Sequence, residues 1–203
     1  MSSTSAQPVT DLTMLLAHDE LRRGLEHDAL SGLTASPKSL PPKYFYDDAG
    51  SLLFEEITQL PEYYPTRTEH ALLTSVAGEI AKVADAEVLV ELGSGSSEKT
   101  RLLLDAMTEA GALAAYVPVD VSAGALRAAV PQLRQFYPDL PVHGVVADFD
   151  HHLAELPADG GRMIALLGST LGNYPPGPRA EFLRGLAAGM REGETLLLGL
   201  DLV

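Results

Sequence analysis

The stretch Val88 to Thr100, VLVELGSGSSEKT, constrains this chain more than any other. Val88, Leu89, Val90 and Leu92 make a short apolar run, the signature of a buried strand. Glu91, Gly93 and Gly95 then spell E-x-G-x-G, and Ser97, Glu98 and Lys99 lead into a helical segment, RLLLDAM. A strand, a glycine turn and a helix start form a cradle for a nucleotide-like ligand. Glycines let the backbone come close, and the helix end offers free N–H groups. The motif is credible because of this strand–turn–helix context.

From Glu87 onward strands and helices alternate. The predicted strands are 87–92, 115–119, 142–147, 162–168 and 194–202. The predicted helices are 97–110, 122–136, a short one near 151–156, and 178–190. Gly111 suits a helix end and Ser122 a helix start. This order predicts an α/β fold with a doubly wound, mainly parallel sheet.

The chain before Glu87 reads differently. Residues 1–10 are rich in Ser and Thr and are expected to be a disordered tail. Residues 11–33 carry leucines at helical spacing, and TASPKSLPP (34–42) is too proline-rich for a helix. Ser51 is a candidate cap for a short helix that Pro61 ends. Thr66 and Glu69 have capping-box spacing, which predicts a helix from about Arg67 to Ala84 with Leu72, Leu73, Val76, Ile80 and Val83 facing inward. Residues 11–86 therefore read as a helical N-terminal cover contributing to a substrate pocket, and 87–203 as the ligand-binding domain. The chain stops directly after an apolar strand, so a missing C-terminal part is expected.

A net charge of −14 argues against nucleic acid or an anionic membrane as a partner. The absence of cysteine excludes disulfides and thiolate metal sites. Leu12 to Ala17 is too short for a signal peptide and lacks a basic flank, and no apolar run approaches the ~20 residues that span a bilayer. A cytoplasmic location is the default.

In an open parallel sheet, ligands bind beyond the carboxyl ends of the strands. Polar residues recur there: Glu91 and Gly93 to Gly95, Asp120, Asp148-Phe149, Gly168 to Asn173, and Asp201. Asp120, after the second strand, is placed to accept both hydroxyls of a ribose; the alternative is a helix cap. Asp148 could accept an adenine amino group with Phe149 beside it, or simply close a turn. Lys99 opposes the helix dipole unless it faces a ligand carboxylate; the alternative is a solvated lysine. An NAD-type turn needs a third glycine where this chain has Glu98. S-adenosylmethionine, which has no phosphate, fits better. Adjacent His151 and His152 read as a surface loop rather than a metal site. Half of the seven tyrosines and five phenylalanines lie between Tyr44 and Tyr64. They either pack the cover or line a pocket for a small amine.

The segments 36–69, 89–107, 118–122, 147–149, 166–176 and 196–203 together resemble the histidine-specific N-alpha-methyltransferases of ergothioneine biosynthesis, known from actinobacteria and fungi. The resemblance implies a Rossmann-like class I fold and transfer of three methyl groups from S-adenosylmethionine to the α-amino nitrogen of L-histidine, giving hercynine. It implies donor contacts by Gly93, Lys99, Asp120, Asp148 and Phe149. It also implies that Tyr63 and Asn173 hold the amino-acid end of histidine, with Tyr46 and Phe54 near the pocket. Neither a metal nor a covalent intermediate is implied, no general base is identified, and a monomer is expected. Family members are about half as long again, and their additional C-terminal part supplies further histidine contacts. Alternatives are a methyltransferase for another small amine or amino acid, and, for a chain of this length, a non-catalytic donor-binding module.

Overall fold

The computed structural model describes residues 12–201, without the side chains of His18 and Asp48. The expected tail, 1–10, and Leu202 at the end of the last expected strand lie outside the described residues. Six parallel strands form one sheet in the order β1-β4-β3-β2-β5-β6: β1 Leu12–Met14, β2 Val88–Leu92, β3 Ala115–Asp120, β4 Gly144–Val146, β5 Arg162–Leu166 and β6 Thr195–Leu198. The helices are α1 His18–Thr34, α2 Asp48–Thr58, α3 Tyr64–Ala84, α4 Arg101–Ala110, α5 Ala123–Phe136 and α6 Pro176–Gly189.

β2 is fully buried and pairs on one side with β3 and on the other with β5, Leu92 lying opposite both Val119 and Leu166. The chain winds outward from β2 through β3 to β4, then returns to β5 and β6. The switch point therefore lies between β2 and β5, where ligand clefts of this architecture form.

Alternation along the strands splits the core. Leu89, Tyr116, Met163 and Ala165 pack with Leu73, Ala77 and Ala81 of α3 and Leu103, Leu104 and Met107 of α4. Val88, Val90, Leu92, Val117, Val119, Ile164 and Leu166 pack on the other side with Phe182 and Leu186 of α6. Both faces of the sheet are covered, as an all-parallel sheet requires.

Several boundaries differ from expectation. Leu12–Met14, expected in the first helix, is an edge strand aligned with Gly144–Val146. Gly144 lacks a side chain where one would meet Leu12 Cδ2 at 2.4 Å. α2 is capped by Asp47, whose side chain accepts the Gly50 N–H, rather than by Ser51. α3 starts at Tyr64 with Pro65 in its first turn, so Thr66 and Glu69 form no capping box. Its buried face is Leu73, Ala77, Ala81 and Ala84, while Leu72 and Val83 are exposed. α4 begins at Arg101, because Ser97 takes a left-handed φ of 56° that no helix continues. No described helix is long and apolar enough to cross a membrane.

Candidate active site

Gly93 and Gly95 carry φ values of +74° and +50°, which explains glycine at both turns. The Gly93 and Ser94 N–H groups both donate to the Val119 carbonyl, at 2.8 and 3.1 Å, so the turn is pinned to the end of β3. A side chain on Gly93 would point at the Phe149 ring, 3.8 Å away, and one on Gly95 would enter open space. Ser94 Oγ is buried without a hydrogen-bond partner. Open space beside Gly95 and an aromatic ring beside Gly93 are compatible with an adenosine-type ligand.

Asp120 ends β3 and is buried. Its Oδ2 accepts the Gly95 N–H at 2.9 Å and its Oδ1 the Ser122 N–H at 2.8 Å. Burial raises its pKa, opposed by these backbone hydrogen bonds. A third backbone N–H, that of Val121, also bonds this carboxylate, so of its roughly four acceptor sites about one remains for a ligand hydroxyl. The cap of α5 is Ser122, whose Oγ accepts the Ala125 N–H at 3.1 Å.

Asp148 is also buried, and its Oδ2 accepts from Lys43 Nζ at 2.6 Å. Its Oδ1 accepts the Asp150 N–H at 3.0 Å, closing the turn after β4. Lys43 reaches this carboxylate from the segment between α1 and α2 and was not singled out from sequence; nothing local in PPKYF reports a partner 105 positions away. The Phe149 ring meets Phe182 edge to face at 6.0 Å. His151 is exposed, whereas His152, expected in a surface loop, is buried with Nδ1 2.9 Å from the Asp148 carbonyl oxygen. Among the described residues no cluster of His, Asp and Glu could hold a metal ion.

Lys99 is paired with Glu69 of α3, whose other oxygen accepts the Gly168 N–H at 2.8 Å. Beneath the turn, Glu91 is buried and accepts from Thr100 Oγ1 at 2.6 Å and from the Tyr116 hydroxyl at 2.5 Å. Tyr116 Oη lies 2.9 Å from Ser97 Oγ, which links the acid to the left-handed turn residue. Burial, outweighing the two hydroxyl donors, raises the Glu91 pKa from 4.5 to about 7. Glu91 was legible as part of E-x-G-x-G, but its partners were not.

Tyr46, Phe54 and Tyr63 form a run of edge-to-face rings, 5.6 Å from Tyr46 to Phe54 and 5.9 Å from Phe54 to Tyr63. Burial, then Tyr63 and then Asp120, pushes the Tyr46 phenol upward, which sets this aromatic wall within electrostatic reach of the Asp120 carboxylate. Burial, then Glu69 and Asp201, does the same to Tyr63. Asn173 is exposed, in the turn Thr170–Asn173 that follows β5. The structure thus gathers Gly93, Lys99, Asp120, Asp148 and Phe149 at the strand ends, while Tyr46, Phe54 and Tyr63 form a separate aromatic run. No described hydrogen bond ties Asn173 to the group.

The chain is 53% identical over 192 residues to the histidine N-alpha-methyltransferase of Mycolicibacterium smegmatis, a match that covers 95% of this chain and 60% of that protein. It is 51% identical to the Mycobacterium tuberculosis protein of the same name, covering 93% and 59%. The chain thus spans about 60% of the length of these relatives. Among solved structures it is similar to magnesium protoporphyrin IX methyltransferase from Synechocystis PCC 6803 with bound SAM. That match has TM-score 0.53 and 16% identity, and covers 74% of this chain and 72% of the other. This last likeness shows the fold alone, a Rossmann-like parallel sheet with helices on both faces. Residues 25–203 match the family described as "Histidine-specific methyltransferase, SAM-dependent", and the chain belongs to that family.

Proposed function

We propose that the protein is an S-adenosyl-L-methionine-dependent N-methyltransferase that trimethylates the α-amino group of L-histidine to hercynine, in ergothioneine biosynthesis. The observation that carries this reading is the 53% identity with a histidine N-alpha-methyltransferase over 95% of the chain. Working as a cytoplasmic monomer accords with the acidic surface and the absence of a described membrane-crossing helix.

The donor supplies a methyl group already activated on a sulfonium. The chain's own residues bind, orient and exclude water. Asp120 takes the ribose hydroxyls, Asp148 the adenine amino group, Phe149 and Gly93 flank the adenosine, and Lys99 takes the carboxylate. Tyr63 and Asn173 hold the amino-acid end of histidine. Tyr46 and Phe54 wall the pocket, where aromatic faces favour a nitrogen that gains methyl groups and positive charge. Residues 11–86 thereby complete the acceptor side of a donor-binding domain formed by 87–203. In-line alignment of amine and methyl group supplies about 7–11 kcal/mol of the barrier reduction.

The test is incubation of the protein with S-adenosylmethionine and L-histidine, following mono-, di- and trimethylated histidine by mass spectrometry, with histamine and tryptophan as competing acceptors. Hercynine formation is expected. Methylation of another amine in preference to histidine would overturn the substrate assignment.

A further inference from the structure

Glu69 belongs to α3, outside the strand–turn–helix cradle, yet its carboxylate reaches the strand ends. Oε1 accepts the Gly168 N–H at 2.8 Å, just past β5, and Oε2 is paired with Lys99. Past β6, a Cβ on Gly199 would stand 2.1 Å from the same Oε1, so the missing side chain at Gly199 makes the room the carboxylate occupies. The β5 end, the β6 end and the start of α4 thus converge on one acid. The pair is shielded but reachable: its side chains are 25% (Lys99) and 14% (Glu69) exposed.

Holding α3 to α4 does not account for it. Those helices already share an apolar interface through Leu73, Ala77, Leu103, Leu104 and Met107. Lys99 also stands immediately before Thr100, the N-cap of α4, where the helix dipole disfavours a cation. A pair serving only as a staple would gain from the opposite polarity.

We propose that Glu69 completes this subsite as the reader of the methyl donor's α-ammonium, beside Lys99, to which the reading above already gives the α-carboxylate. This rests on the reading of the cleft as the donor site. The chemistry is complementary. An α-amino acid carries one cation and one anion on the same carbon, and the cleft offers one of each side by side. Neither residue has to release the other. An ammonium has three donors, of which Glu69 uses one, and a carboxylate has about four acceptor sites, of which Lys99 and Gly168 use two. Lys99 alone would accept any anion. Glu69 beside it repels a phosphate, so the pair discriminates between an amino-acid end and a nucleotide phosphate.

The test is calorimetry with two ligands, S-adenosylhomocysteine and methylthioadenosine, the latter having the adenosine but no amino-acid end. Glu69→Gln is expected to weaken S-adenosylhomocysteine by about 10- to 150-fold, the range for hydrogen bonds to charged groups, and to leave methylthioadenosine unchanged. Equal loss of both ligands, or loss of neither, would overturn the proposal. Methylthioadenosine binding reports an intact cleft. If the variant does not fold, wild-type protein with the deamino analogue of S-adenosylhomocysteine decides: binding as tight as the parent compound rules out an ammonium reader. Wild-type protein that binds none of these ligands would instead overturn the donor-site reading.

Discussion

Asp120 accepts the Gly95 N–H at 2.9 Å, so the acid that ends β3 also holds the glycine turn that ends β2. Its other oxygen takes the Ser122 N–H at 2.8 Å and so sets the start of α5. The carboxylate thus has a structural task before any ligand arrives.

Replacing it should cost ligand affinity for both reasons. Asp120→Ala is expected to weaken S-adenosylhomocysteine binding by about 10- to 150-fold, corresponding to the 1.5–3 kcal/mol of a charged acceptor. Calorimetry checks this, and an unchanged dissociation constant would leave Asp120 as a turn brace alone.

Glu91 makes the fold sensitive to pH. Burial raises its pKa from 4.5 to about 7, so the folded state keeps a proton that the unfolded chain gives up. That contribution is fully present below pH 4.5 and is lost as pH rises through about 7. The shift corresponds to about 3 kcal/mol at most, at 1.36 kcal/mol per pH unit. Glu91→Gln is neutral throughout and should flatten the decline of Tm with rising pH across this window. The burial of Asp120 adds a slope of the same sign. Parallel Tm–pH curves for variant and wild type would show that Glu91 does not titrate there.

The limits of sequence reading have physical causes. β2, β3 and β5 were legible because buried parallel strands are continuous apolar runs, as in VLVEL and RMIAL. β1 was not, because the leucines of residues 12–16 fit a helical period as well, and its state is decided by pairing with β4 more than a hundred residues away. Pro65 set the start of α3 and outweighed the Thr66–Glu69 spacing. On the candidate site, the strand-end rule singled out Asp120 and Asp148, and the helix-dipole argument Lys99, but neither says what holds them. Lys43 and Glu69 are ordinary charged residues in sequence, and only tertiary packing brings them to Asp148 and Lys99.

The far end of the sheet depends on one ion pair. Arg162 donates from Nε and Nη2 to Glu194 at 2.7 and 2.8 Å, and to the carbonyls of Pro157 and Gly189 at 3.0 and 2.7 Å. These hydrogen bonds, with help from Arg191, hold the Glu194 pKa near 2. Its stabilising contribution is present above the ordinary value of 4.5 and is lost as pH falls towards 2. Arg162→Met strips two carbonyls of their donor and leaves a buried acid with Arg191 alone, so a loss of about 3–5 kcal/mol is expected in denaturant unfolding. A loss below about 1 kcal/mol would place the pair with surface ion pairs.

Phe54 separates the two halves of the proposed site most cleanly. Its ring is the only link in the edge-to-face run between Tyr46 and Tyr63, at 5.6 and 5.9 Å, and it makes no described contact with Asp120, Asp148 or Lys99. Phe54→Ala removes two aromatic contacts worth about 0.5–1.5 kcal/mol each and lets water between the remaining rings. The KM for histidine should therefore rise by about 5- to 150-fold, the equivalent of 1–3 kcal/mol. S-adenosylhomocysteine affinity should stay as it was, because every group assigned to the donor keeps its place. Phe54→Leu retains apolar volume without the ring edge and should fall between. Steady-state kinetics with histidine, set beside calorimetry with S-adenosylhomocysteine, gives both readouts on the same preparation. A variant that lost donor affinity and kept its KM for histidine would show that the aromatic run belongs to the donor's side of the cleft.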